Sequence, residues 1–211
     1  MNQNLAETVY TAILERIIRG SLLPGTALSA AKWAEKLAVS RTPVHEALRM
    51  LEIDGLVVNR VGRRAQVAEF MRDDLWEIFE MRALLESRAA ELAAGRMDER
   101  QLGPLRSLAD SLAAREEFEE WIAHWTEFDE RFHGEIAAAC GNRRLAQDIR
   151  RYRLIHRGFN HVSTDYNSLQ SALEEHVEIL DALSARDPSA ARAAMERHIK
   201  NWQRYFVERF Q

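Results

Sequence analysis

The stretch VSRTPVHEAL, residues 39–48, decides the fold of the first third of the chain. Ser40 stands where the N-cap of a helix is expected, and Pro43 would fall in the first turn, where its missing N–H costs nothing. The residues that follow at helical spacing form an apolar stripe: Val44, Ala47, Leu48 and Leu51. We therefore predict a helix over residues 41–54 that buries one face.

The opposite face of this predicted helix carries polar and basic side chains. Arg41, His45 and Arg49 are four apart and share that face; Thr42 lies beside them, and Ser40 precedes the first turn. Helix N-termini attract anions, arginine can form two hydrogen bonds with guanine, and hydroxyls commonly bond phosphates. The pattern is typical of a recognition helix in a DNA major groove. A solvated face on a protein-interaction domain would show the same periodicity.

The flanking segments predict a winged helix-turn-helix. Residues 5–19 have a helical apolar stripe, and Ser29 can cap a short second helix. After the third helix, LVVNR and AQVAEF flank VGRR and read as a β-hairpin. This hairpin would be the wing, and its guanidinium groups would follow an adjacent groove or the backbone: Arg60, Arg63 and Arg64.

LSAAKWAEKLAVSRTPVHEALRMLEIDGLV closely resembles the N-terminal domain of GntR-family bacterial transcriptional regulators, and the resemblance covers residues 5–70. It implies binding of double-stranded operator DNA through Arg41, Thr42 and Arg49, assisted by the wing. Three positions depart from the family pattern. His45 stands where arginine is usual, Ala31 replaces an arginine that often contacts DNA, and Arg64 occupies a place often given to glycine. We hypothesise that His45 reads a base edge.

Composition sets the outer bounds. A chain of 211 residues with 46% hydrophobic and 29% charged residues can form about two compact domains. The first 70 residues hold nine Lys/Arg and seven Asp/Glu, so they are mildly basic within a chain of net charge −4. The chain lacks an apolar run of about 18 residues, so no membrane span is expected. A single cysteine, Cys140, fits a reducing cytoplasm.

The rest of the chain is predicted to be helical throughout. Gly103-Pro104 should kink or interrupt the second of these helices. Short connections between them favour an all-α antiparallel bundle of six or seven helices. The expected fold is thus mainly α, with a winged helix-turn-helix domain over 1–70 and a helical domain over 71–211. The predicted helices lie near residues 73–94, 98–114, 118–139, 142–160, 167–186 and 188–210.

Four side chains on the inward stripes of these helices suggest a metal site. Asp129 and His133 are four apart on one helix, while His176 and His198 each lie among apolar residues on their own helix. Buried polar groups need partners, and a divalent cation would satisfy all four. The alternative is that each histidine is a hydrogen-bonded core residue. His124, His156 and His161 have less consistently apolar surroundings and are expected at the surface or in a pocket.

A di-iron centre is a further alternative, because Glu130-x-x-His133 has the required spacing. Such a centre needs a second Glu-x-x-His motif, and neither His176 nor His198 has a glutamate three residues earlier. Cys140 follows IAAA at a helix end and is expected to be a small packed residue rather than a nucleophile.

Residues 73–208 resemble the FCD ligand-binding domain of the FadR-like branch of GntR regulators. The resemblance rests on MRALLESRAAELAA, FHGEIAAACGN, EEHVEILDAL and RDPSAARAAMERHI. It implies a divalent metal, commonly zinc or nickel, held by Asp129, His133, His176 and His198, and a small organic acid bound beside it. Arg82 matches an arginine that commonly lines the effector pocket; the alternative is a surface ion pair with Glu86.

These interpretations combine into one expected function: a homodimeric, cytoplasmic regulator that binds operator DNA and senses a small carboxylate effector at a metal site. Repression relieved by the effector is the expected sign of regulation. A metal-dependent hydrolase would need a positioned general base, for which Glu130 is the one candidate. A DNA-binding protein with a purely structural metal is the third possibility.

Overall fold

A computed structural model describes residues 2–59, 64–114, 118–159 and 165–209 of the chain. It divides into two compact units, the first comprising Met1–Leu75 with Arg151–His161 and the second Trp76–Arg150 with Val162–Gln211. The grouping of Arg151–His161 with the first unit is a feature that the linear sequence did not suggest. Over the described residues the fold is mainly helical, as predicted, with nine helices and three short strands, one strand more than the predicted hairpin.

The first unit contains three helices, a small sheet and, from Arg151 onward, the end of a later helix. Trp33 and Val44 lie in its core together with one stripe of the first helix and the apolar ends of the strands. In the turn between the second and third helices, Ala38 adopts a left-handed backbone with φ +54°. The elements are α1 (Asn2–Ile18), β1 (Ala27–Leu28), α2 (Ala30–Lys36), α3 (Arg41–Ile53), β2 (Val57–Val58) and β3 (Ala65–Val67).

The sheet has three antiparallel strands in the order β1-β3-β2. Val57 pairs with Val67 as the predicted hairpin requires, while Leu28 pairs with Ala65 on the other side of β3. The Pro24-Gly25 pair predicts a loop over SLLPGTALS, residues 21–29, and this prediction is wrong at Ala27–Leu28. A two-residue strand is too short to show an alternating pattern, so its pairing with β3 is visible only in three dimensions.

The second unit is a bundle of long helices. Asp98 caps the second of them through a capping box with Gln101, and Asp165 caps the fifth by accepting from the Ser168 amide at 2.9 Å. The helices are α4 (Arg72–Ala93), α5 (Glu99–Ala113), α6 (Phe118–Ala139), α7 (Arg143–Phe159), α8 (Tyr166–Ser184) and α9 (Pro188–Arg209). They number six within the described residues, in agreement with the prediction.

Gly103-Pro104 was predicted to kink or interrupt α5, and the helix runs through it without interruption. Pro104 removes one hydrogen bond, the one that its amide would have donated to the carbonyl of Arg100. Because Pro104 and Arg100 are both exposed, water can bond that carbonyl. Leu102, Leu105 and Ala109 are buried on the other face, and their packing maintains the helix across the proline. No helix among the described residues is long and apolar enough to cross a membrane.

Candidate DNA interface and metal centre

Helix α3 presents a polar face made of the residues that the sequence singled out. Ser40 lies at its N-cap in an extended conformation, and its hydroxyl makes no capping hydrogen bond to the helix. Behind this face, Pro43, Val44, Ala47, Leu48 and Leu51 are buried, so the helix has one side for packing and one for contact. The exposed residues are Ser40, Arg41, Thr42, His45 and Arg49.

The wing is described only in part. Arg64 is exposed at the start of β3, on the strand pair that forms the wing. The other two predicted wing residues, Arg60 and Arg63, lie outside the described residues.

The four predicted metal ligands converge within the second unit. The Nε2 atoms of His133 and His176 are 3.2 Å apart, and Asp129 Oδ1 lies 3.5 Å from the first and 3.7 Å from the second. One ligand atom each from His133, His176 and His198 can be chosen so that all lie within 4.8 Å of one another. Helices α6, α8 and α9 therefore bring three imidazoles and a carboxylate to one point.

The three histidines are sealed in the bundle, and the aspartate is not. His133, His176 and His198 are each 2% exposed or less, whereas the side chain of Asp129 is 29% exposed. Aromatic rings enclose the site from the inside, and the ring of Phe132 lies 4.3 Å from that of His176, centroid to centroid. The cluster therefore meets solvent on the side of Asp129.

Arg82 lies in the interior, so the alternative of a surface ion pair is half correct. Its Nε donates to Glu86 Oε1 at 2.7 Å, and the two side chains are only 5% and 2% exposed. The other oxygen of Glu86 lies 2.6 Å from His133 Nδ1. A buried chain of contacts thus links Arg82 through Glu86 to one of the predicted ligands.

A second carboxylate contacts the cluster from α8. Glu175 Oε2 lies 2.7 Å from His198 Nδ1, and its other oxygen accepts a hydrogen bond from the side-chain amide of Asn201. Burial lowers the pKa of His198. The hydrogen bond to Glu175 partly offsets this effect by raising the pKa, and the neighbouring His133 lowers the pKa further. The neutral imidazole is therefore favoured, and this is the form that binds metals.

The donor set fits a divalent cation. Two nitrogens bound to one tetrahedral zinc ion lie roughly 3.3 Å apart, given bonds of about 2.0–2.1 Å, and the two Nε2 atoms of His133 and His176 have this spacing. The carboxylates of Asp129, Glu86 and Glu175 lie beside the three histidines, and Arg82 pairs with Glu86. Such an acidic surrounding suits a cation bound by imidazole nitrogens.

Comparison with known proteins places these features in a family. Residues 77–201 match the FCD domain, and residues 5–67 match the bacterial regulatory proteins of the gntR family. The chain belongs to the GntR family. It is a transcriptional regulator with an FCD domain, and the enzyme interpretation is set aside because the family consists of regulators.

Individual relatives agree with this assignment. The regulator is 30% identical to the Exu regulon transcriptional regulator of Escherichia coli K12, over 94% of this chain and 83% of that one. It is also 30% identical to the E. coli transcriptional repressor GlaR, with 90% of each chain covered. Among solved structures, E. coli McbR/YncC has the same fold, with a TM-score of 0.81 at 23% identity over 98% of this chain and 99% of that one.

The sequence of this regulator did not predict that Glu86 and Glu175 contact two of the histidines. Glu175 and His198 are 23 residues apart on different helices, so no local spacing connects them. Glu86 was considered only as a partner of Arg82. Of the other histidines, His124 is exposed, His156 is partly buried and His161 lies outside the described residues. Cys140 is buried against Ala137 and Ile149, as expected of a packed residue.

Proposed function

We propose that this regulator binds operator DNA through the exposed face of α3, assisted by the wing. The observation that supports this proposal is one exposed face of α3. It runs from the N-cap, whose hydroxyl has no bond to the helix, through the first nine helical residues, and its members are Ser40, Arg41, Thr42, His45 and Arg49. That hydroxyl and the first-turn amides are available for phosphates, and the long side chains for base edges. Arg60, Arg63 and Arg64 extend the contact along the DNA backbone. This DNA-binding domain spans residues 1–70.

The helical domain, residues 71–211, is proposed to hold a divalent metal ion, zinc or nickel, through Asp129, His133, His176 and His198. A small organic acid binds beside it, with its carboxylate near Arg82. The convergence of the four donors and the buried link from Arg82 to His133 support both parts of this proposal. When bound, the metal supplies a positive charge that attracts the acid, and Arg82, although paired with Glu86 through Nε, has further N–H donors for the carboxylate.

Regulation follows from unequal affinities. Two copies bind the half-sites of a near-palindromic operator as a homodimer, which matches the symmetry of such sites. The acid binds more tightly to the arrangement that does not fit the operator, so it shifts the population away from DNA. The similarity to the repressor GlaR favours repression as the activity that the acid relieves. Access to chromosomal DNA requires a cytoplasmic location.

Selection of bound fragments from a random DNA pool tests the first part of the proposal. The purified protein, at modest salt, is expected to enrich an inverted repeat, and addition of the right acid is expected to abolish the enrichment. An Arg41→Ala/Arg49→Ala double variant serves as the matched control. Failure of the wild type to enrich any sequence would contradict DNA recognition by α3.

Thermal unfolding with metals and acids separates a sensor from a protein with a purely structural metal. A sensor gains stability from zinc or nickel and gains again from one class of small organic acid. A structural site responds to the metal and to chelator but to none of the acids. A response to acids that persists in Arg82→Met would remove Arg82 from the effector site.

A further inference from the structure

Two carboxylates outside the predicted ligand set contact the Nδ1 atoms of two metal-site histidines. Glu86, on α4, reaches His133, and Glu175, on α8, reaches His198. In both cases the contact is made to Nδ1, at 2.6 Å and 2.7 Å respectively. The Glu175 contact is a hydrogen bond, whereas Glu86 Oε2 lies close to His133 Nδ1 without hydrogen-bond geometry. Two different helices thus place a carboxylate beside Nδ1 of two of the three histidines.

A carboxylate in such a contact determines which nitrogen carries the hydrogen. An ionised carboxylate only accepts hydrogen bonds, so Nδ1 of a neutral His198 must be the N–H donor in the bond to Glu175. The lone pair of His198 is then on Nε2. In His133 the negative charge of Glu86 beside Nδ1 favours the same tautomer, although this contact lacks hydrogen-bond geometry. His133 Nε2 faces His176 Nε2 at 3.2 Å and Asp129 Oδ1 at 3.5 Å. The contact therefore selects the tautomer that turns a metal-binding lone pair toward the cluster, and it also restrains rotation of the ring.

Each carboxylate is itself held in place. Glu86 Oε1 accepts from Arg82 Nε at 2.7 Å, and Glu175 Oε1 accepts from the side-chain amide of Asn201. Both glutamates therefore use one oxygen for the histidine and the other for a fixed donor. Glu86 is 2% exposed and Glu175 19% exposed in the side chain, so water competes weakly with these contacts.

We propose that Glu86 and Glu175 are positioning residues of the metal centre, and that they set its affinity by fixing His133 and His198 with Nε2 toward the cation. This inference rests on the proposed metal binding by Asp129 and the three histidines. It assigns no ligand role to either glutamate. It also gives Arg82 a part in metal affinity, because Arg82 holds Glu86.

The test uses the full chain, with Co²⁺ as a spectroscopic probe and a chromogenic chelator as competitor. Glu175→Gln keeps the size of the side chain but removes its charge. We expect Glu175→Gln to bind Co²⁺ about 10- to 100-fold more weakly than the wild type. At saturation its visible absorption bands should match those of the wild type, because all four ligands remain. His198→Ala, which removes a ligand, should alter the bands.

The matched control is Glu178→Gln, on the same helix and three residues further on. Glu178 is exposed and pairs with Arg197, away from the cluster. The Glu178→Gln variant should therefore bind Co²⁺ as tightly as the wild type. For the α4 side, Glu86→Gln alone would leave the guanidinium of Arg82 buried without its carboxylate and endanger folding. The double variant Arg82→Met/Glu86→Gln avoids this and should also bind Co²⁺ more weakly with unchanged bands.

The outcomes are distinct. Wild-type affinity in both Glu175→Gln and the double variant would overturn the inference while leaving the metal site intact. Altered bands at saturation in Glu175→Gln would make Glu175 a ligand, which also contradicts a positioning role. If the wild type bound no Co²⁺, Zn²⁺ or Ni²⁺, the metal part of the proposed function would fail, and the inference would fail with it.

Discussion

Single residues carry both strain and recognition in this regulator. Ala38, in the turn between α2 and α3, has a left-handed backbone, φ +54°, that costs a residue with a Cβ about 1–2 kcal/mol. Glycine at this position would avoid the steric cost, but it loses more conformational freedom on folding than alanine does. The net difference in stability between the two residues is therefore smaller than the steric cost alone. The turn connects α2 to α3, so the strained residue lies just before the proposed recognition helix in the chain.

Ala38→Gly is therefore expected to raise the free energy of unfolding by about 0.5–1 kcal/mol, since glycine adopts this angle without strain. Urea unfolding at pH 7 measures the change. Ala31→Gly is the control, because Ala31 is exposed within α2 and its replacement should destabilise by about 1 kcal/mol. Equal destabilisation by both substitutions would show that the turn is relaxed.

On α3, Arg49→Ala is expected to weaken operator binding by about 1–3 kcal/mol if Arg49 bonds a base edge. His45→Ala should change the preferred base at one position of each half-site, because the imidazole is proposed to read that base. Fluorescence anisotropy on operator variants measures both effects. Arg19→Ala is the control, since Arg19 is exposed at the end of α1 and pairs with Glu15. Unchanged base preference in His45→Ala would leave His45 without a reading role.

Among the helical elements, α8 depends on a cap that titrates. Asp165 accepts hydrogen bonds from the backbone and the hydroxyl of Ser168, and these bonds lower the pKa of Asp165 below its ordinary value. A group whose pKa is lower in the folded state stabilises the protein above its unfolded pKa, near pH 4. That contribution is lost as the pH falls through the lower, folded value.

Asp165→Asn keeps a capping oxygen but cannot ionise. The stability difference between wild type and Asp165→Asn should be constant above about pH 5 and should shrink as the pH falls below about 4. Urea unfolding at several pH values, with chelator present in all samples, measures it. Asp187→Asn provides a comparison at the N-cap of α9, because the Asp187 carboxylate accepts a hydrogen bond from the Ala190 amide. A difference independent of pH down to 3 would contradict the role of the ionised cap.

The elements also show how far the sequence reaches. The long helices and the packing side of α3 follow from periodicity and caps, which are local properties, and so does the shared face of Asp129 and His133. Strand β1 has two residues and no pattern of its own. The contact between Glu175 and His198 arises only when α8 and α9 pack side by side, and Pro104 is tolerated only because of its exposed position on α5.

For the molecule as a whole, the proposed metal centre links α6 to the consecutive helices α8 and α9. A metal at 100 times its dissociation constant should raise the free energy of unfolding by about 2.7 kcal/mol, because it binds only the folded state. His176→Ala should abolish most of this gain, while His124→Ala, which replaces an exposed histidine of α6, should keep it. Calorimetry with zinc and with chelator measures the shift. An equal gain in His176→Ala would place the ion elsewhere.

The uneven exposure of the four donors governs how quickly the centre can be filled or emptied. Three imidazoles are sealed by the packing of α6, α8 and α9, and only the carboxylate of Asp129 meets water. Exchange of a cation with the medium must therefore pass that side or await local opening of the helices. A loaded protein will then resist brief dialysis against chelator, and the apparent metal content of a preparation will record its purification history as much as its equilibrium affinity.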